Sequence, residues 1–240
     1  MKLKQNLSYS VLAILFQCSN SNCKKLITET ICLLSVILKP MIPWPTKNEI
    51  LCNLPKCFKN FESTRIIIDC IEIPIMKPKS LSASIITYSN YKSTYTAKFM
   101  TCVTPAGIIS FISQGYGGRA SDKFIFENSN VIDLLEENDA IMADKGFLID
   151  SLCAKKHVKL FRPPFLRGKQ QLTQTEALLN KSIASARVHI ERVNQRIKIF
   201  NIFSKFPSSL LSKIDEIFLI ACAIVNLSVP ILNNNKFMTK

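Results

Sequence analysis

The sequence predicts an α/β domain, a mixed sheet flanked by helices, with a small helical module in front of it. Three observations carry that reading. Residues 66 to 75 are almost continuously apolar and β-branched, four further strand-length runs follow before residue 162, and two long stretches of helical periodicity end the chain. A length of 240 residues leaves room for one core of roughly 150 to 180 residues and a short appendage. A 48% hydrophobic content with only 6 glycines excludes a disordered or low-complexity chain.

The helical module covers residues 1 to 38. Leu12, Leu15 and Phe16 recur at helical spacing, Cys18-Ser-Asn-Ser-Asn-Cys23 breaks the pattern, and Leu26, Ile27, Ile31, Leu34 and Ile37 resume it. The pattern fits a helix-turn-helix and equally a helical hairpin packed on the main domain. Pro40, Pro43, Pro45 and Pro55 then interrupt periodicity, so residues 39 to 64 read as a linker.

The main domain spans 65 to 232, with 233 to 240 as a tail. Its first strand, Ile66 to Ile75, puts Ile67, Asp69, Ile71 and Ile73 on one face. Strands over Thr94 to Thr104 and Ile108 to Gln114 turn at Pro105-Ala-Gly107, and the glycines at 115 to 118 lead out of the sheet. Ser121-Asp122 caps a helix through Glu127. Ala140 to Ala143 forms a strand ending at Asp144, and Val158 to Phe161 forms another before a loop with Pro163, Pro164 and Gly168. Helices from about Thr175 to Phe200 and Leu210 to Leu227 complete the domain. The apolar stretch Ile214 to Leu232 holds Asp215, Glu216, Asn226 and Pro230, which favours a core helix over a membrane span.

Lysine and arginine number 31 against 17 acidic residues, a formal net charge of +14. That excess suits a polyanionic partner. Nine cysteines form no C-x-x-C pair, and the chain has only two histidines, His157 and His189. Structural zinc is therefore not expected, and reduced thiols of a cytosolic or nuclear compartment are.

Three acids stand in settings that suggest one site. Asp69 lies in an apolar strand, Asp144 ends another, and Glu191 sits in a helix between Arg187 and Lys198, four residues after one and seven before the other. An ionised aspartate among apolar neighbours needs a cation or hydrogen bonds. Magnesium takes hard oxygen ligands, and two such ions can activate the attacking oxygen and stabilise the leaving one. Two strands and a helix delivering three carboxylates describe how a ribonuclease-H-like nuclease builds that site. Each acid also has a structural reading: a satisfied buried aspartate, a turn residue, and one arm of a helix side-chain pair with Arg187 or Gln195.

The chain resembles DDE-superfamily transposases of the Harbinger and insertion-sequence type, whose last catalytic helix carries Arg, three residues, Glu, six residues, Lys, as Arg187, Glu191 and Lys198 do. Further blocks are residues 67 to 72, Tyr88 to Lys92, Gly117 to Asp122, Ala143 to Phe147 and Pro164 to Lys169. A tyrosine three residues before the arginine marks the bacterial signature, and Ala184 stands there. The resemblance implies Asp69, Asp144 and Glu191 as catalytic metal ligands for Mg²⁺ or Mn²⁺. It implies supporting roles for Glu72 and Asp122, and DNA contacts for Lys92, Arg119, Arg167, Lys169, Arg187 and Lys198.

A DNA endonuclease or strand transferase acting on transposon ends in the nucleus is the leading expectation. A Myb-like helper protein and a homo-oligomer are the further partners implied, with no membrane. Relatives in animals carry a DNA-binding module ahead of such residues, so the chain is expected to be short at its N-terminus. The alternative is a domesticated, catalytically inactive DNA- or chromatin-binding protein.

Overall fold

The structure, a computed structural model, describes residues 1–164, 171, 173–232 and 236–238. The chain opens with α1 (Lys2–Gln5), α2 (Tyr9–Leu15) and α3 (Asn20–Leu38). The Ser8 and Ser19 hydroxyls accept from the backbone N–H groups of Val11 and Asn22, satisfying donors that a first helical turn leaves unpaired. Between the two helices Gln17 takes a left-handed φ of 50°, which reverses the chain.

Residues 39 to 64 depart from the predicted linker. Helix α4 (Lys47–Cys52) forms there, started by a capping box: Thr46 Oγ1 accepts from Glu49 N–H, and the Glu49 carboxylate accepts from Thr46 N–H at 2.7 Å. The prolines at 40, 43, 45 and 55 all lie outside this helix, so their density masked a readable start signal. Next to it Arg65, only 4% exposed, stacks on Trp44 with 5.5 Å from guanidinium to ring centroid and lies 4.0 Å from Asp139, itself 3% exposed. Lys47 reaches the same aspartate at 3.4 Å.

The sheet contains β1 (Thr64–Pro74), β2 (Tyr88–Ser89), β3 (Thr94–Val103), β4 (Ile109–Ile112), β5 (Tyr116–Gly117), β6 (Ala140–Ala143) and β7 (Lys159–Phe161), in the order β2-β3-β1-β6-β7 with β4 and β5 also on β3. β1 is antiparallel to β3 and parallel to β6. The predicted exit from the sheet at residue 115 is corrected, since Tyr116 and Gly117 pair with Lys98 and Ala97 as β5. Gly117 allows this because a Cβ there would strike the Ile86 carbonyl. Helices α5 (Leu81–Thr87), α6 (Asp122–Asn128), α7 (Asp150–Lys155), α8 (Gln174–Lys198) and α9 (Ile214–Leu227) flank the sheet. Helices α5 and α7 were not foreseen; at seven and six residues they are too short to show a period.

The pleat of β1 divides two cores. Ile67, Ile71 and Ile73 face α8 and α9, whereas Ile66 and Ile68 face α6 and α7. Phe99 and Phe218 stack at 4.1 Å between the sheet and α9, each burial contributing about 2 to 3 kcal/mol. Ile31 of α3 joins that core and α3 packs along α9, so the helical module rests on the main domain. Among the described residues no helix is long and apolar enough to cross a membrane. The mixed sheet with helices on its faces is the predicted α/β architecture, consistent with a ribonuclease-H-like fold.

Candidate functional site

Parallel pairing of β1 and β6 sets the first two acids side by side. Ile68 lies opposite Ala143, so Asp69 and Asp144 are the next residues on neighbouring strands. Asp144 leaves β6 there and starts a turn closed by its carbonyl accepting from Phe147 N–H at 3.2 Å. Gly146 completes the turn against Asp122, whose Oδ2 would lie 2.7 Å from a Cβ at that glycine. A crevice beyond strand ends is where open α/β sheets bind ligands.

Helix α8 lies over this edge. Its buried stripe of Ile183, Ala186, Ile190, Val193 and Ile197 packs on the sheet at helical spacing. The same packing aims Arg187 and Asn194 at the acids. Arg187 Nη1 donates to Asp144 Oδ1 at 3.1 Å, and Asn194 Nδ2 donates to Asp69 Oδ2 at 2.9 Å. Thr101, opposite Asp69 on β3, donates to Asn194 Oδ1 at 3.2 Å, which fixes the orientation of the amide. Glu191 falls between Arg187 and Asn194 on the helix, exposed and without a hydrogen bond or ion pair among the described residues. Among those residues no group of three or more His, Cys, Asp or Glu side chains stands close enough to hold a metal ion.

Burial pushes the Asp69 carboxyl up to about 6, against the pull of Arg187 and of the Cys70 backbone N–H; the negative charges of Asp144 and Asp122 add to the rise. Asp69 is thus a carboxylate short of positive charge, with its second acid partly neutralised by Arg187. Oxygen donors only, two of them carboxylates on adjacent strands, fit a hard divalent cation better than zinc or copper.

The remaining predicted residues fall into separate places. Glu72, on the opposite face of the sheet from Asp69, is joined through Lys98 to Asp122, which also abuts the Asp144 turn: Lys98 Nζ lies 2.7 Å from Asp122 and 4.0 Å from Glu72, and Thr96 Oγ1 donates to Glu72 at 2.8 Å. Lys92 and Arg119 are exposed near the β2 turn, away from the acids, and Lys198 is exposed at the end of α8. Arg167 and Lys169 lie outside the described residues.

Asn194, Thr101 and Lys98 were missed. Asn194 was detectable as one of two polar residues, with His189, in the buried stripe of α8, three residues after Glu191. Thr101 and Lys98 are visible only once the β1 to β3 register is known.

Comparison with known proteins gives concordant results. A sequence profile described as "DDE superfamily endonuclease" matches residues 68–226, and one described as "Helix-turn-helix of DDE superfamily endonuclease" matches residues 1–40. A protein of Microchaete diplosiphon named "Probable transposase for insertion sequence element IS702" is 29% identical over 162 residues, covering 67% of this chain and 53% of that protein. The match thus spans about half of that relative's length. No solved structure matches the chain.

Proposed function

The chain belongs to the DDE superfamily of endonucleases, and from that premise we propose that it is a metal-dependent nuclease or strand transferase acting on DNA in the nucleus, with Asp69, Asp144 and Glu191 as its catalytic acids. The observation that carries this reading is the juxtaposition of Asp69 and Asp144 beneath the helix that bears Arg187 and Glu191. Endonucleases of this superfamily generally use divalent metal ions. Asp69 and Asp144 would hold such an ion, with Glu191 as the third carboxylate. Bound there, magnesium or manganese would supply Lewis-acid activation for in-line displacement at phosphorus.

The chain's own residues have distinct parts in this reading. Asn194, its amide held by Thr101, fixes the Asp69 Oδ2 oxygen in place. Arg187 orients Asp144, and its positive charge faces the place where a phosphate would enter. Lys198, and the more distant Lys92 and Arg119, would contact the backbone without reading sequence. The helical module gives a second DNA-binding element, as both matched profiles imply.

The test is nicking of supercoiled plasmid in Mg²⁺ or Mn²⁺ by the parent chain and by Asp144→Ala. Activity in the parent that disappears in the variant and in EDTA supports the reading. A second reading, a DNA-binding protein without cleavage, is favoured by the ion pair closing Asp144 onto Arg187 and by the exposed Glu191. Metal-independent, salt-sensitive duplex binding by two equally inactive, folded proteins would select it.

A further inference from the structure

The turn that follows β2 is built to present an aromatic ring to solvent. Ser89, 1% exposed, accepts from Lys92 N–H at 3.2 Å through its hydroxyl, and Ser93 closes the turn with a φ of 50°. At its tip Tyr91 is 84% exposed, a large ring on ordered backbone with no packing role. Lys92 Nζ stands 4.5 Å from its centroid. Beside the turn lies a cleft of about 370 Å³ lined by Ser84, Ile85, Tyr88, Asn90, Tyr95 and Arg119 among others, none of them acidic. Tyr88 and Tyr95 meet edge to face at 5.4 Å, and Lys77 lies 5.8 Å from the Tyr95 ring. Arg119 is anchored by its own N–H donating to the Ile86 carbonyl at 3.1 Å. Among the described residues no carboxylate pairs with Lys77, Lys92 or Arg119.

An exposed tyrosine ring beside cations that pair with no carboxylate among the described residues suits a polyanion that carries flat apolar rings. We propose that this turn and cleft bind an unpaired strand of DNA, with a base stacked on Tyr91 and phosphates against Lys92 and Arg119. In a duplex the base faces are already stacked and inaccessible, whereas an unpaired strand offers them, and each base stacked on a protein ring strengthens binding about tenfold. An acidic peptide would be met by the cations but would leave the tyrosines without a role. Tyr95 lies six residues along β3 from Thr101, the partner of Asp69, or about 20 Å. A strand separated at the acids would therefore reach the cleft. The proposal rests on the reading that the chain acts on DNA.

The experiment measures fluorescence anisotropy of a labelled thymidine homopolymer and of a mixed-sequence duplex in EDTA, where no metal chemistry runs. The parent, Tyr91→Ala, Tyr91→Phe and the Lys92→Ala/Arg119→Ala pair are compared at several salt concentrations. Tyr91→Ala is expected to weaken single-strand binding about tenfold and leave duplex binding unchanged, with Tyr91→Phe restoring it. The double variant is expected to flatten the salt dependence of single-strand binding by about two phosphate contacts. No single-strand binding by the parent, no loss in Tyr91→Ala, or equal loss on both DNAs would overturn the proposal. So would displacement of the strand by polyglutamate at equal charge, or preference for the matching RNA. Because EDTA silences cleavage, an inactive nuclease leaves this result interpretable, and a failed result here leaves the nuclease reading standing.

Discussion

Asp69→Asn should make the metal-free protein more stable near neutrality. In the folded chain burial raises the Asp69 carboxyl from 3.8 to about 6. At about 1.4 kcal/mol per unit, keeping it ionised costs roughly 3 kcal/mol, and partial solvent access trims this to about 2. The folded carboxyl holds its proton more tightly than the unfolded one. Its contribution is therefore fully present below about pH 4 and is lost as pH rises through about 6. Asparagine keeps an oxygen to accept from Asn194 and carries no charge, so the variant's stability should not show that decline. The gain corresponds to a thermal midpoint higher by roughly 4 to 8 °C in a domain of this size. Thermal melts followed by circular dichroism in EDTA, across the window from about pH 4 to 7, read this directly. Addition of Mn²⁺ should raise the midpoint of the parent and not of the variant. A variant less stable than the parent at neutral pH without metal, or two pH profiles that run parallel, would refute the electrostatic account of Asp69.

Other perturbations have equally defined outcomes. Asn194→Ala removes the donor to Asp69 Oδ2 and the acceptor of the Thr101 hydroxyl, which keeps only the Asp69 carbonyl at 3.4 Å; chemical denaturation at neutral pH should show a loss of about 1 to 3 kcal/mol, smaller in acid where Asp69 is protonated. Asp139→Ala removes the buried carboxylate beside Arg65 and leaves that guanidinium only the exposed Glu136 at 4.0 Å, and a urea melt should register a loss of about 3 kcal/mol, with Lys47→Ala costing much less because that cation is more than a third exposed. Gly118→Ala drives a methyl into Thr96 Oγ1 and to 3.0 Å from the Thr87 carbonyl, so its thermal midpoint should fall by an amount equivalent to about 1 to 3 kcal/mol. Arg187→Gln removes the charge that opposes the rise at Asp69 and the ion pair at Asp144; plasmid nicking should drop by about tenfold or more while the protein stays folded.

The sheet and the long helices were legible because their periods run for many residues. Ile67, Ile71 and Ile73 share one core around Asp69 as the alternation predicts, and α8 spans Gln174 to Lys198 close to the expected limits. Among the short elements α4, α5, α7 and β5 were hidden, since one or two turns give no period, whereas the equally short α6 and β6 were marked by Ser121-Asp122 and by the apolar run into Asp144. The adjacency of Asp69 and Asp144 follows from register, which the sequence does not display, although the two strand ends were recognised separately. Arg187 is the sharpest contrast. Spacing paired it with Glu191 along the helix, yet the sheet brings Asp144 within 3.1 Å, and a partner on another element outcompetes one a turn away. Asn194, which spacing did not single out, is the helix's direct contact with Asp69.

In the proposed site Glu191 completes the carboxylate set begun by Asp69 and Asp144. A Mn²⁺ titration followed by electron paramagnetic resonance, with the parent and Glu191→Gln side by side, tests it most directly. Glu191 is exposed and has no hydrogen bond or ion pair among the described residues, so the substitution is expected to leave folding intact. On that assignment the parent should bind saturably and the variant with affinity lower by about tenfold or more. Identical binding curves for the two proteins, or no saturable binding by the parent, would contradict it.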